Sequence, residues 1–296
     1  MKEHDPAGLH GSLRSAALWV EEGLRNIALR RDPLSRLSSL AVYSLESGGK
    51  RVRPFLVRAA CSALEGLPGK CLNAACAVEM IHTYSLVHDD LPAMDDDDTR
   101  RGRPALHVES GEAQALLAGD LLLVEAFGEL METPLGQARV AEMAARLARA
   151  AGPGYLVGGQ YMDMFHEDDA GEEWIERMIL GKTAAMIRVS LELGALAGGA
   201  DEEVLALVSS LGDRLGFLFQ LTDDILDRCG SAEEMGKEVS KDSDRGKRNL
   251  LSILDIDSAV DLARKTAVSV AEGFRSLQGD WEEVAALSLY LPGRRR

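Results

Sequence analysis

Apolar residues recur at helical spacing along most of this chain, and short Gly/Pro segments separate the runs. No stretch shows the sustained two-residue alternation with β-branched residues that is typical of a strand. Aromatic residues make up only 5% of the 296 residues, while Ala and Leu are abundant, which also favours helix. The predicted fold is therefore all-α. The predicted helices span residues 34–47, 54–64, 73–90, 109–131, 135–151, 155–164, 172–196, 202–227, 258–279 and 281–291.

These helices follow one another without an obvious interdomain linker, so we expect one domain over residues 1–296. The longest polar stretch, residues 228–249, is predicted to be a loop. The first ten residues are polar and lack the apolar segment of a signal peptide. Asp120 and Glu125 interrupt what we take to be the richest apolar run, which argues against stable membrane insertion. The sequence thus favours a cytoplasmic protein.

The net charge and the cysteine content bear on nucleic-acid binding and on the state of the thiols. The net charge is −15, whereas nucleic-acid-binding domains usually carry a basic footprint, so we expect no nucleic-acid partner. The four cysteines contain no Cys-x-x-Cys pair. This favours reduced thiols that pack as small apolar residues.

The chain contains two aspartate-rich clusters that are candidates for a metal site. The first acidic cluster runs from His88 to Asp98, and the second runs from Gln220 to Asp227. Concentrated carboxylates repel one another unless cations neutralise them. Mg²⁺ prefers such oxygen ligands and shares itself with substrate phosphates, so the two clusters predict a metal site for a polyphosphate. A solvated acidic surface is the alternative, and it explains one cluster more readily than two.

The spacing within the clusters supports metal binding. Asp223 and Asp227 are four residues apart and share one helix face, where a cation would relieve their repulsion. In the first cluster, Pro92 must end the preceding helix, because proline cannot donate the hydrogen bond that a helix interior needs. The chain can therefore turn back and bring Asp95 towards Asp89.

Basic residues flank the acidic ones. Gly48–Pro54, which reads Gly-Gly-Lys-Arg-Val-Arg-Pro, is a glycine-hinged basic turn before a helix and a candidate phosphate-binding segment. Arg100 and Arg101 follow the first acidic cluster directly. Spacing alone does not distinguish the isolated lysines from solvated surface residues. These are Lys182, Lys237 and Lys247.

Together these motifs resemble those of the short-chain polyprenyl diphosphate synthases, the farnesyl and geranylgeranyl diphosphate synthase family. The resemblance covers about residues 40–249, and the longer spacing between Asp90 and Asp95 resembles the bacterial subtype. The matching segments, in family order, are Gly48–Pro54, Met80–Gly102, Gly158–Gln160, Gly181–Thr183 and Phe219–Asp227. The resemblance implies a single large helical bundle around a central cavity, with metals at its mouth, and a homodimer.

The resemblance also implies a reaction. An allylic diphosphate, dimethylallyl or geranyl, binds with three Mg²⁺ ions per active site, which Mn²⁺ can replace, and ionises to an allylic cation. The double bond of isopentenyl diphosphate attacks this cation, and loss of a proton completes a five-carbon extension. A class I terpene cyclase is disfavoured, because both Asp motifs and the basic turn are present. A non-catalytic synthase subunit would be expected to lack one acidic motif.

Residue roles follow from the resemblance by position. The direct metal ligands would be Asp89, Asp95 and Asp223, and Asp90, Asp224 and Asp227 would help them or bind the metal through water. Isopentenyl diphosphate would be bound by Lys50, Arg53, His82 and Arg101. The allylic diphosphate would be bound by Arg100, Lys182 and Lys237. Thr183 and Gln220 would turn their oxygens towards the developing cation, with Gln160 and Asp163 either supporting them or packing in the core. The catalytic set would be Asp89, Asp95, Asp223, Lys182 and Gln220.

Product length depends on a different residue. Tyr84 lies five residues before Asp89, about 7.5 Å deeper along the predicted helix. A bulky aromatic ring there would limit the growing chain, which resembles the farnesyl-producing members and predicts a C15 product. Geranylgeranyl and geranyl diphosphate are the alternatives, and simple core packing is the alternative role for Tyr84.

Two features near the C-terminus depart from the pattern. Many members carry Thr-aromatic-Pro after the position of Lys247, whereas this chain reads Arg248-Asn249-Leu250, which places the role of Lys247 in doubt. The terminal residues 294–296 are all arginine, and we expect a frayed, solvated tail rather than one folded over the diphosphates.

Overall fold

The computed structural model describes residues 8–31, 36–165, 171–233 and 249–294, and helices dominate these ranges. The strands found there are the two-residue partners of one antiparallel hairpin, β1 (Thr99–Arg100) and β2 (Arg103–Pro104). The predicted all-α class is confirmed.

Internal contacts divide the chain into two compact units. The first unit consists of His10–Leu147 with Glu192–Ala200. The second unit consists of Met1–Leu9, Ala148–Leu191 and Asp201–Arg296. The expectation of one domain over residues 1–296 stays a prediction.

Most of the first unit is built from α-helices that precede residue 152. They are α1 (Leu9–Arg31), α2 (Arg36–Leu45), α3 (Val52–Ala63), α4 (Leu72–Asp89), α5 (Leu106–Ser110), α6 (Glu112–Met131) and α7 (Gln137–Ala151). The packing of α4 on α6 is close, because a Cβ on Gly119 would overlap the His88 imidazole. Val87 and Ala118 are buried in a core cluster at this end of α4, so α4 presents its last turn from a fixed position.

In the second unit, one long helix runs beside a π-helical turn. The elements of this unit are α8 (Leu156–Met164), α9 (Glu172–Ile179), the π-helical turn Leu180–Ala184, α10 (Ala185–Gly198) as far as Leu191, α11 (Glu202–Glu233), a 3-10 turn Leu250–Ser252, α12 (Ile256–Arg275), α13 (Glu282–Tyr290) and a 3-10 turn Leu291–Gly293. At Gly216 the backbone of α11 lies against Ala184, and a Cβ there would overlap the Ala184 backbone. This approach fixes the π-helical turn against α11.

The predicted helices recur with three main differences. The whole of α1 was missed, because its buried residues form a narrow stripe of about one apolar side chain per turn. The helix predicted over 172–196 is interrupted by the π-helical turn. The prediction of a loop from residue 228 is wrong at its start, because α11 continues to Glu233, and residues 234–248 lie outside the described ranges.

Among the described residues, the helix that could span a membrane by length and composition is part of α11 rather than the run around Asp120. By length and composition the segment Glu202–Cys229 is long and apolar enough to cross a membrane, with a mean hydropathy of 1.4. Half of its most apolar 18-residue stretch is buried inside the protein, as in the core helix of a globular fold. The expectation of no stable membrane insertion stays a prediction.

Candidate active site

The first acidic cluster begins where α4 ends. The backbone N–H of Asp95 donates to the carbonyl oxygen of Asp89 at 2.7 Å, and that of Asp97 donates to Asp90 at 3.3 Å. These bonds close the turn that Pro92 requires. Asp95 therefore follows a turn that returns to the last residue of α4.

Asp90 forms an ion pair with Arg100. Its side chain is buried, and Oδ1 accepts from Arg100 Nε at 2.9 Å and from Arg100 Nη2. Asp97 lies 3.3 Å from the same guanidinium. Burial raises the pKa of Asp90, although the hydrogen bonds and charge of Arg100 act in the opposite direction. Asp90 thereby fixes Arg100 in place, and its role as a metal ligand stays a prediction.

The proposed isopentenyl diphosphate residues are near one another in the first unit. Arg101, with a left-handed φ of 53°, donates to the Gly48 carbonyl oxygen, and its guanidinium lies over Gly49. A Cβ on Gly49 would lie 2.7 Å from Arg101 Cζ, so this contact requires glycine. Burial, followed by the charges of Arg53 and Arg101, holds the pKa of His82 well below its usual range. Lys50 is exposed.

A buried ion pair that the sequence analysis missed connects the basic turn to α4. Arg51 is 3% exposed and Glu79 is 1% exposed, and Arg51 Nη1 donates to Glu79 Oε1 at 2.5 Å. Arg51 also donates to the Leu45 carbonyl oxygen and lies 3.6 Å from Glu21. The available signal was a carboxylate within the apolar run 73–90. Glu79 lies one helical turn before His82.

In the second unit, α11 carries the second acidic cluster. Thr183 Oγ1 donates to Gln220 Oε1 at 2.7 Å, and Gln220 Nε2 donates to Asp224 Oδ1 at 2.8 Å. The Leu250 N–H donates to the other oxygen of Asp224 at 3.2 Å. Burial raises the pKa of Asp224 to about 6, despite the hydrogen bonds from Gln220 and Leu250. Asp223 is half-buried and Asp227 is exposed.

Lys182 in the π-helical turn is paired with a buried carboxylate on α8. Its Nζ lies 2.5 Å from Asp163 Oδ2, and Asp163 is 8% exposed. Because of this contact, Asp163 orients Lys182. Both amide atoms of Gln160, one turn earlier on α8, are buried without a hydrogen-bond partner among the described residues. Lys237 and Lys247 lie outside the described residues.

The expectation of a frayed C-terminal tail is wrong for Arg294. This residue is 7% exposed, and its guanidinium forms an ion pair with Asp223 and donates to Thr222 Oγ1 at 3.3 Å. It also lies 4.6 Å from the centre of the Phe219 ring. The 3-10 turn Leu291–Gly293 brings the tail back onto α11, and charge pairing and ring stacking then bury it. Arg295 and Arg296 lie outside the described residues.

Comparison with known proteins identifies the family. Residues 35–283 match the family model described as Polyprenyl synthetase. The chain belongs to the polyprenyl synthetase family.

Its relatives within this family are farnesyl and geranylgeranyl synthases. The chain is 42% identical over 250 residues to the chloroplastic geranylgeranyl pyrophosphate synthase of Catharanthus roseus, covering 83% of this chain and 70% of that protein. It is 40% identical over 279 residues to the farnesyl diphosphate synthase of Geobacillus stearothermophilus, covering 91% of each. This polyprenyl synthetase is thus a short-chain prenyltransferase.

Solved structures agree with the predicted fold. The geranylgeranyl pyrophosphate synthetase of Pyrococcus horikoshii Ot3 superposes with a TM-score of 0.87 at 29% identity, covering 97% of this chain and 99% of that one. The farnesyl and geranylfarnesyl (FPP/GFPP) synthase of Zymomonas mobilis superposes with a TM-score of 0.85 at 28% identity, covering 97% and 99%. The helical bundle that the resemblance implied is confirmed.

The acidic side chains fit Mg²⁺, on which family members generally depend. Asp89, Asp95, Asp223 and Asp227 offer hard carboxylate oxygens, the donors that Mg²⁺ prefers. Among the described residues, no three His, Cys, Asp or Glu side chains form a ready-made metal cage. Mg²⁺ does not need one, because it usually takes one or two carboxylates and completes its shell with water and substrate phosphates.

Proposed function

We propose that this prenyltransferase condenses isopentenyl diphosphate with dimethylallyl or geranyl diphosphate and releases farnesyl diphosphate. Family membership supports the reaction class. The buried position of Tyr84 on α4 is the observation that supports the C15 product.

The first unit supplies a cationic surface for isopentenyl diphosphate. Arg101 lies against the basic turn, and the lowered pKa of His82 reflects the positive charges of Arg53 and Arg101 around it. Several cations near one another repel and bind a polyanion strongly. An incoming diphosphate, together with Lys50, would balance this charge.

Two cations are held in position for the allylic diphosphate. Asp90 orients Arg100 in the first unit, and Asp163 orients Lys182 in the second. A cation that is already oriented stabilises charge on a leaving group without reorganisation, which is the largest contribution in many enzymes. Lys237, assigned to the same diphosphate from the sequence, lies outside the described residues.

We further propose that Asp89, Asp95, Asp223 and Asp227 hold Mg²⁺. When bound there, Mg²⁺ would supply positive charge that neutralises the diphosphate as a leaving group. The chain's own part is to supply carboxylates on fixed elements, the end of α4 and one face of α11.

Tyr84 limits the depth available along α4. It is 6% exposed, and its ring meets the His88 imidazole edge-on, with ring centroids 5.7 Å apart. His88 in turn contacts the Leu116 carbonyl oxygen at 3.0 Å, and Gly119 packs against it. The ring is therefore held on α4 against His88, which itself contacts α6, about 7.5 Å from Asp89 along the helix. A fixed ring is a suitable stop for the growing prenyl tail.

A C20 product is the second candidate. The chloroplastic geranylgeranyl pyrophosphate synthase of Catharanthus roseus is 42% identical to this chain, against 40% for the farnesyl diphosphate synthase of Geobacillus stearothermophilus. These similarities do not discriminate between the products, so the size of the side chain at position 84 becomes the deciding variable.

The substitution Tyr84→Ala tests this assignment. Removing the ring opens depth along α4, so we expect the main product to lengthen from C15 to C20 or more, with the total turnover reduced by less than about tenfold. Products of reactions with labelled isopentenyl diphosphate would be separated by chain length. Tyr161→Ala is the matched control, because Tyr161 is 64% exposed on α8. An unchanged product length in Tyr84→Ala would contradict the role of Tyr84.

A further inference from the structure

Three side chains of the second unit form one hydrogen-bonded relay that ends on a backbone N–H. Asp224 accepts from Leu250 N through Oδ2 at 3.2 Å and from Gln220 Nε2 through Oδ1 at 2.8 Å. Gln220 Oε1 accepts from Thr183 Oγ1 at 2.7 Å. Each member of the relay therefore has a defined donor or acceptor role.

The direction of this relay is set at Asp224. A carboxylate only accepts hydrogen bonds, so Gln220 must turn its NH₂ group towards Asp224 and its oxygen away from it. Turning the amide over would bring two acceptor oxygens together at 2.8 Å. Thr183 must then donate its single proton to Gln220, and its hydroxyl oxygen keeps its lone pairs.

The relay is anchored at both ends. Asp224 is 5% exposed, and Leu250 belongs to a 3-10 turn that is capped by Asn249 and Ser252. At the other end, Thr183 lies in the π-helical turn, and the close approach of Gly216 to Ala184 holds this turn against α11. With both ends held in this way, Gln220 and Thr183 cannot easily exchange their donor and acceptor roles.

We propose that Asp224 is a positioning residue, which fixes the amide of Gln220 and through it the hydroxyl of Thr183 so that both present oxygen to the allylic cation. The inference rests on the proposed function. A glutamine amide has almost the same shape in both orientations, yet only its oxygen end stabilises positive charge. Asp224 removes that ambiguity before the substrate binds, which is the preorganisation that lowers a reaction barrier. Each oxygen of Asp224 accepts one hydrogen bond within the protein, and the proposed role depends on these two bonds rather than on a metal.

The substitution Asp224→Asn tests the relay by reversing it. The new amide would accept from Leu250 N through its oxygen and present its NH₂ group to Gln220. Gln220 would then turn its oxygen to position 224 and its NH₂ group to Thr183. We expect kcat to fall about 10- to 100-fold. This decrease should not exceed the decrease in kcat that follows removal of one transition-state contact. The KM values of both diphosphates and the Kd for Mg²⁺, measured by calorimetry, should change by less than about twofold.

Double substitution distinguishes positioning from a general structural effect. Because Asp224 acts through the amide of Gln220, Asp224→Asn should cost much less kcat in a Gln220→Met background than in the wild type. Thr183→Ser keeps the hydroxyl and should retain kcat within about threefold, and it tests the relay even if Asp224→Asn does not fold. Asp213→Asn is the matched control on α11, because Asp213 pairs with Arg188 outside the relay.

The outcomes separate this inference from the proposed function. A Kd for Mg²⁺ that rises tenfold or more in Asp224→Asn, with kcat restored at saturating Mg²⁺, would make Asp224 a metal ligand and overturn the relay. Fully additive losses in the double variant would overturn it as well. Failure of the wild-type chain to extend any allylic diphosphate would overturn the proposed function together with the relay.

Discussion

His82 shows how its surroundings change the chemistry of a single side chain. Burial and the charges of Arg53 and Arg101 hold its pKa well below the ordinary value of about 6.5, so the folded protein keeps this imidazole neutral. A neutral imidazole can donate to a diphosphate oxygen and adds no further repulsion among the arginines. Binding of the negatively charged isopentenyl diphosphate would then raise the pKa of His82.

This neutrality predicts a pH dependence of stability. Below about pH 6.5 the unfolded state binds a proton at His82 that the folded state does not bind, so the free energy of unfolding falls with decreasing pH. We expect this loss, up to about 1.4 kcal/mol per pH unit, to be absent in His82→Gln between pH 7 and pH 5. Urea unfolding of both proteins across that range measures it. A constant difference between the two would contradict the lowered pKa.

The sequence assigns roles to individual side chains but does not show which residues they pair with. Arg100 and Lys182 were assigned from the sequence, because they belong to recognisable motifs. Their carboxylate partners Asp90 and Asp163 are 10 and 19 residues away, and only the fold shows that these charges meet. The pairing of Arg294 with Asp223 spans 71 residues and reversed the expected state of the tail.

At the scale of elements, the buried ion pair between Arg51 and Glu79 joins the start of α3 to the middle of α4. Replacing Glu79 by Gln would leave the Arg51 charge buried without its main partner, which costs about 3–5 kcal/mol. We expect a corresponding loss in the free energy of unfolding, measured by denaturant titration. Both side chains are 1% exposed, so solvent cannot compensate.

The matched control is Glu21→Gln. Glu21 is 30% exposed and lies 3.6 Å from Arg51, so its removal should cost less than about 1 kcal/mol. Equal losses for the two substitutions would show that the pair with Glu79 has no special role in holding the basic turn.

The prediction of elements succeeded where the apolar stripe was broad and failed where it was narrow or interrupted. The predicted end of α4 is correct to within one residue, because Pro92 stops the helix. The π-helical turn has no sequence signature of its own, and the close packing of Gly216 on Ala184 beside it is visible only in the fold. It could only be found in the structure.

At the scale of the whole molecule, α6 exposes an apolar stripe at seven-residue spacing. Leu117, Val124 and Met131 are 52%, 67% and 59% exposed. Residues at this spacing lie on one helix face, and exposed apolar faces are typical of subunit interfaces. We propose that this stripe forms the interface of the homodimer that the family resemblance implies.

The substitution Val124→Asp tests that interface. A charge at its centre would remain unpaired on association, so we expect the mass in solution to fall from twice 31.9 kDa to 31.9 kDa. Light scattering after size exclusion measures the mass, and Val268→Asp on α12, where Val268 is 48% exposed, is the control. A dimer that survives Val124→Asp at micromolar concentration would place the interface elsewhere.

The family could be predicted from motifs, whereas the product could not. The chemistry proposed for Gly48–Pro54 and the two acidic clusters depends on residue types that a sequence displays directly. Under the proposed function, product length would depend on how far a prenyl tail can extend past Tyr84, and the packing around this ring can be read only from the structure.

The central claim is that this chain elongates allylic diphosphates and stops at C15. The direct measurement is incubation of the purified protein with labelled isopentenyl diphosphate, Mg²⁺ and, in separate reactions, dimethylallyl, geranyl or farnesyl diphosphate, followed by separation of the products by chain length. The account predicts farnesyl diphosphate from the first two starters and little extension of the third. No extension of any starter would contradict the proposed reaction, and C20 as the main product would contradict the proposed chain length.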